Sequence, residues 1–134
     1  MRNYATYNGV TLKLTAGRAI EAEEKLGGGI VSKMSDSSDQ LRVLSTILAS
    51  SIIDGTYEER KNKALFIYDD MLEKGKDLTD YQFLVSDVLV AAGFMKGEIV
   101  EMQKKYAQAQ TAILAENMKK MQEKEQAQTE DLQN

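Results

Sequence analysis

The chain has 134 residues, 43% of them apolar and 28% charged, a composition that fits one soluble domain with a modest core. It holds neither histidine nor cysteine, which excludes a Ser–His or Cys–His nucleophile, a thiolate zinc site and a disulfide, and removes the commonest acid–base side chain at neutral pH. The net charge is −4, with Lys and Arg mixed among Glu and Asp, so there is no basic face for nucleic acid.

The longest run of apolar residues and glycine, Val88 to Met95, is too short to span a bilayer. The opening "MRNYATYNGV" carries no apolar signal segment. The expectation is therefore a soluble, unexported, non-enzymatic protein with no cofactor, no metal, no nucleic acid and no membrane partner.

"NYATYNGVTLKLT" reads as a β-hairpin. Asn8-Gly9 suits a type I′ turn, and Val10, Leu12 and Leu14 alternate with Thr11, Lys13 and Thr15, the pattern of a strand with one buried face. Thr15 is placed to cap a helix with a stripe of Ala16, Ala19, Ile20, Glu23 and Leu26. Gly27 then fits the left-handed position that ends helices, so Gly27-Gly28-Gly29 reads as a helix stop and link. A phosphate loop is excluded by order: these glycines follow a helix instead of a strand, and Ser32-Lys33 stands in the wrong order and spacing.

Ile30, Val31 and Met34 suggest one short helical turn, followed by a loop, "SDSSD", over Ser35 to Asp39. Ser37 with Gln40 offers a capping box for "QLRVLSTILASSII". There Leu41, Leu44, Leu48 and Ile52 form an inner face that Val43, Ile47 and Ile53 widen, which marks this helix as central. Asp54-Gly55 breaks the chain. A second capping box, Thr56 with Glu59, opens a helix from about Tyr57 to Lys74 with a stripe of Ala64, Leu65, Tyr68, Met71 and Leu72, ended by Gly75. Thr79 with Gln82 makes a third box, with Leu78 and Phe83 as a hydrophobic staple. The helix that follows carries Leu84, Val85, Val88, Leu89 and Ala92 and stops at Gly93.

From Lys96 onward the composition shifts to Gln, Lys, Glu, Ala and Met, all helix formers. Ile99, Met102, Tyr106, Ala109 and Ile113 are spaced 3, 4, 3, 4, as in a short coiled-coil seam. A shifted stripe through Leu114, Met118 and Met121 continues it, and the polar end "QEKEQAQTEDLQN" is expected to fray. The fold class is therefore mainly α (α+β): an N-terminal β-hairpin, a compact bundle of about four helices, and a long C-terminal helix. Two parts follow, 1–96 and 97–134.

Two acidic groups are candidate cation ligands: Asp69, Asp70 and Glu73, and the pair Asp36 and Asp39. The first reads better as a solvated face opposite the apolar stripe, and the second, lacking a calcium-loop pattern, as capping chemistry. Lys104-Lys105 and Lys119-Lys120 read as solubilising pairs. The candidate partner-binding residues are Ile99, Met102, Tyr106, Ala109, Ile113 and Leu114. This stripe has two outlets: packing within the protein or a homo-oligomer, or binding a foreign chain.

The order of "LTAGRAIEAEEKLGGGI", the apolar helix over 41–53 and "DDMLEKGKDLTDYQFLVSDVLVAAGF" resembles the tail assembly chaperones of long-tailed (siphovirus-type) phages and prophages of Gram-positive bacteria. The likeness covers roughly residues 10–96 and lies in the order and spacing of its pieces, including Tyr68, Asp69, Leu72, Glu73 and Gly75, then Gly93-Phe94. It implies a non-enzymatic role in virion morphogenesis. Such chaperones act in the cytoplasm of the bacterial host, bind the long, apolar, helical tape measure protein before tail tube protein polymerises around it, and are absent from the mature virion. In many such phages a frameshifted longer form recruits the tail tube protein, and this chain would be the shorter product. The family has no sharp functional motif, so it transfers no site residues. Two other readings fit a small, acidic, helical chain: a head–tail connector or neck protein, and a helical adaptor with no phage role.

Overall fold

The computed structural model describes residues 2–36 and 38–133, with side chains through Glu125. In chain order the elements are β1 (Ala5–Tyr7), β2 (Val10–Leu12), α1 (Ala16–Leu26), α2 (Ile30–Asp36), α3 (Gln40–Ser51), α4 (Tyr57–Glu73), α5 (Leu78–Ala91) and α6 (Gly97–Gln133). The class is the mainly helical one expected. The short α2 joins the four expected bundle helices and takes in Ser35 and Asp36, which the sequence places in a loop. The chain divides into two units, 1–100 and 101–134.

In the first unit, β1 and β2 pair antiparallel with Ala5 opposite Leu12, Thr6 opposite Thr11 and Tyr7 opposite Val10. The turn has positive φ at both central residues, 47° at Asn8 and 78° at Gly9, as type I′ requires. Leu12 and Leu14 are buried, as their alternation predicts. Beyond the hairpin the Lys13 N–H donates to the Ser51 carbonyl at 2.7 Å, and Leu12 bridges Ile52, so β2 is stitched to the end of α3.

Helix α3 is the centre of the unit, in contact with α1, α2, α4 and α5. Every residue from Val43 to Ser51 is buried, as expected for a helix packed on all sides. Three of its four hydroxyls are satisfied locally: Ser45 and Thr46 donate to the Arg42 carbonyl, and Ser51 to the Leu48 carbonyl. Gly27, Gly75 and Gly93 end α1, α4 and α5 in the left-handed conformation. The next N–H in each case closes back on the helix: Gly28 to Glu23, Lys76 to Met71 and Phe94 to Leu89.

The local start signals hold in part. Thr15 accepts from the Arg18 N–H and Thr56 from the Glu59 N–H, as expected. The Thr56 hydroxyl donates to the Glu59 carboxylate, so no reciprocal box forms there. Ser37 lies outside the described residues; α3 begins at Gln40 with Asp39 at the cap position. The box at α5 belongs to Asp77 and Asp80 instead of Thr79 and Gln82. The Asp80 N–H donates to the Asp77 carboxylate at 3.1 Å and the Asp77 N–H to the Asp80 carboxylate at 2.9 Å. Aspartate is the stronger cap, so the helix starts earlier and Leu78 becomes its first residue, which moves Leu78 and Phe83 out of the staple positions.

The buried stripes differ in phase from those expected. In α1 the buried residues are Ala19, Ala22 and Leu26, while Ala16 is exposed and Ile20 is 56% exposed. In α4 they are Arg60, Ala64, Ile67 and Met71, while Leu72 is exposed. One ion pair accounts for both rotations. The Arg60 guanidinium, 3% exposed, donates to both Glu21 carboxylate oxygens at 2.9 and 3.2 Å, to the Ala49 carbonyl at 2.9 Å and, through Nε, to the Gly55 carbonyl at 3.1 Å. Ser50 adds a hydrogen bond to the same carboxylate. Turning Arg60 inward aligns Ala64, Ile67 and Met71 beneath it, and turning Glu21 toward Arg60 rolls Ile20 out. At the end of α3, Ile52 is extended and bridged to Leu12, so its successor Ile53 faces the other way and is exposed.

Tyr81 is fully buried. Its ring meets Tyr68 edge-on at 5.2 Å and its hydroxyl donates to the Ala64 carbonyl at 2.9 Å. Burial pushes the phenol well above the usual tyrosine range, and the Arg60 guanidinium holds the Glu21 carboxyl below the usual carboxylate range.

Two predictions follow from these buried polar groups. Removing the acceptor strands a buried cation, so Glu21→Ala should lower the unfolding free energy in urea by about 2–3 kcal/mol; Arg60→Met should cost less, since Glu21 still reaches water. Tyr81 has a raised folded pKa, so its contribution is complete below its unfolded value of 10.0 and is lost as pH rises above it. Tyr81→Phe should therefore cost about 1 kcal/mol at neutral pH and flatten the alkaline limb of stability against pH.

Candidate interaction surface

One carboxylate of each constellation that the sequence offers as a cation site is engaged otherwise. The Asp70 carboxylate accepts from the Tyr7 hydroxyl at 2.7 Å and the Asn8 amide at 3.2 Å, and pairs with Lys74 at 2.9 Å. It fastens the hairpin turn to α4. Lys74, Tyr7 and Asn8 hold its carboxyl below the ordinary range; Asp70 raises Lys74, and partial burial with Asp70 alongside raises Tyr7. Tyr7 and Asp70 lie far apart in the chain, and no local pattern announces their meeting. Asp39 pairs with Arg42. Among the described residues no group of three His, Cys, Asp or Glu side chains is placed to hold a metal ion.

Among the described residues, α6 carries a regular row of exposed apolar side chains. Ile99, Met102, Tyr106, Ile113 and Leu114 are each 49–71% exposed, and Ala109 is also exposed. At about 100° per residue, Ile99, Met102, Tyr106, Ala109 and Ile113 fall within an arc of about 80°. Leu114 belongs to a neighbouring ridge with Met118 and Met121, both exposed. The helix thus brings five of the six candidate residues onto one line and sets the sixth beside it. Val100, adjacent to Ile99, is buried.

The charges on this stretch are segregated. From residue 99 to 118 they are Glu101, Lys104, Lys105 and Glu116, confined to an arc of about 120°. The opposite face, about 200° wide, carries only apolar, amide and hydroxyl side chains. Gln103, Gln110 and Asn117 recur along the groove between the two ridges. The Gln110 amide donates to the Tyr106 hydroxyl at 2.7 Å, fixing both on the face. Lys104 pairs with Glu101 and Lys120 with Glu116, on the charged side or past the end of the seam. The polar end, expected to fray, continues the helix to Gln133. The spacing makes the seam legible in the sequence; the segregation of charge that widens it is visible only on a helical wheel of residues 99–118.

No family model, curated protein or solved structure matches this chain. Among the described residues no helix is long and apolar enough to cross a membrane. What the arrangement can do chemically is bind another helix. Its thioethers and its tyrosine supply adaptable contact, and its amides supply hydrogen bonds without a charge to desolvate.

Exposure and burial predict opposite mutational costs. Val88→Ala should lower the stability of the first unit by about 2 kcal/mol in urea unfolding, whereas Ile113→Ser should change it by less than about 0.5 kcal/mol while reducing binding of an apolar dye.

Proposed function

We propose that this protein is a non-enzymatic phage tail assembly chaperone that binds the tape measure protein and keeps it soluble until the tail tube polymerises. The observation that carries this reading is the uncharged face of α6. A long, apolar, helical client presents ridges at i, i+3, i+4 and i+7, and a second helix with matching ridges and no charge is the surface that shields them. Met102, Met118 and Met121 suit a client whose sequence varies along its length, because an unbranched thioether repacks at small cost. The order of hairpin, helix, central apolar helix and glycine-ended helices supports the same family reading. On this proposal the protein works in the cytoplasm of the bacterial host and is absent from the mature virion, and a frameshifted longer form would bring in the tail tube protein.

The test is co-expression with the tape measure protein of the same phage, followed by affinity pull-down. The full chain should co-purify soluble tape measure protein, and Leu114→Glu with Met118→Glu should abolish it without unfolding the first unit. If the full chain neither binds nor solubilises the client, the reading fails. Recovery of the protein from purified virions would instead favour a connector.

A further inference from the structure

We infer that α6 pairs antiparallel with α6 of a second copy of this chain, in one register set by the charges beside its seam. The inference concerns this chain alone and does not rest on the identity of any client. With Ile99 at position a of a heptad, Tyr106, Ile113 and Lys120 are also a; Met102, Ala109 and Glu116 are d; Glu98, Lys105, Ala112 and Lys119 are g; Gln103, Gln110 and Asn117 are e.

A parallel pair sets every residue against its own copy. Tyr106 would crowd Tyr106 while Ala109 faced Ala109 across a gap, and Glu116 and Lys120 would each meet a like charge inside the seam. An antiparallel pair removes all three conflicts. With Tyr106 opposite Ala109 of the second copy, Met102 lies opposite its Ile113 and Ile99 opposite its Glu116, so the largest seam residue meets the smallest and Glu116 meets no like charge. In antiparallel pairs g flanks g and e flanks e. Glu98 then stands beside Lys119 of the second copy, twice by symmetry, Lys105 beside the uncharged Ala112, and Gln103 beside Gln110.

The neighbouring registers fail on charge. Sliding one heptad in one direction sets Lys105 against Lys105. Sliding in the other sets Lys105 against Lys119 twice. Of these three registers only the middle one pairs opposite charges beside the seam and sets Tyr106 over Ala109, and this is what commits the occupant of the seam to a second copy, antiparallel.

The experiment uses the full chain. It has no native cysteine, so Gln122→Cys, on the outer face of the helix, takes a single nitroxide label. Sedimentation equilibrium should show a dimer. Pulsed electron–electron resonance should give a label separation of about 45 Å, because in this register the two labelled positions are offset by about 29 helical residues along the pair. Glu98→Lys should weaken dimerisation about tenfold or more, and Glu98→Lys with Lys119→Glu should restore it, each variant keeping the helix content of the parent. A single sedimenting chain at about 100 µM, a separation near 20 Å as a parallel pair requires, or no rescue by the charge exchange would overturn the proposal.

Discussion

One guanidinium organises the first unit. Arg60 sits in the core with every donor direction that matters taken: Glu21 on α1, the Ala49 carbonyl near the end of α3, and the Gly55 carbonyl in the link to α4. A charge buried at this depth is tolerable only when fully paired and hydrogen-bonded, so the four segments are held in one mutual arrangement or the cation is left without partners. The rest of the packing follows. With Arg60 inside, α4 presents Ala64, Ile67 and Met71 to α3. With Glu21 turned toward Arg60, α1 presents only alanines and Leu26, which lets it lie close. Tyr57 covers the pair from outside, with Lys25 3.7 Å above its ring and Arg60 5.6 Å away.

The same pair explains which parts of the fold could be read from the sequence. Turns, caps and stops are local chemistry, and Asn8-Gly9, Thr15, Thr56, Gly27, Gly75 and Gly93 all do what their residue types predict. Stripe phase is not local. A stripe traced through apolar residues alone runs over Leu65 and Leu72 in α4 because it cannot begin at an arginine, and through Ile20 in α1 because nothing nearby shows that Glu21 faces inward. Ile53 departs from the helical stripe for a related reason: the helix ends at Ser51, and the bridge between Ile52 and Leu12 changes the period from helix to strand. At α5 two overlapping capping boxes compete, and the aspartate pair prevails, which draws Tyr81 into the core. The interaction surface divides the same way. Its seam is a matter of spacing and stood out at once, whereas Asp70, which resembles part of a cation site in sequence, turns out to fasten the hairpin, through a tyrosine that no pattern connects to it.

The width of the α6 face bears on how the proposed pairing and the proposed client binding would coexist. A two-helix seam occupies the a, d, e and g lines, whereas the uncharged face extends beyond them onto a second ridge of Ala107, Leu114, Met118 and Met121. A second copy seated on the first ridge leaves the second uncovered. Leu114 is the one candidate residue that belongs there, and it separates the two proposals: a client held on the second ridge loses its site when Leu114 and Met118 become polar, while the pair keeps its seam. The seam itself is suited to exchange. Tyr106 over alanine, methionine over isoleucine and an amide line in place of leucines make an interface that specifies register more than it maximises stability, since polar groups at such positions fix alignment at a cost in affinity. If the protein is the chaperone proposed, the release of a long client as a tube grows along it gives reason to hold both partner and client through contacts of this modest kind.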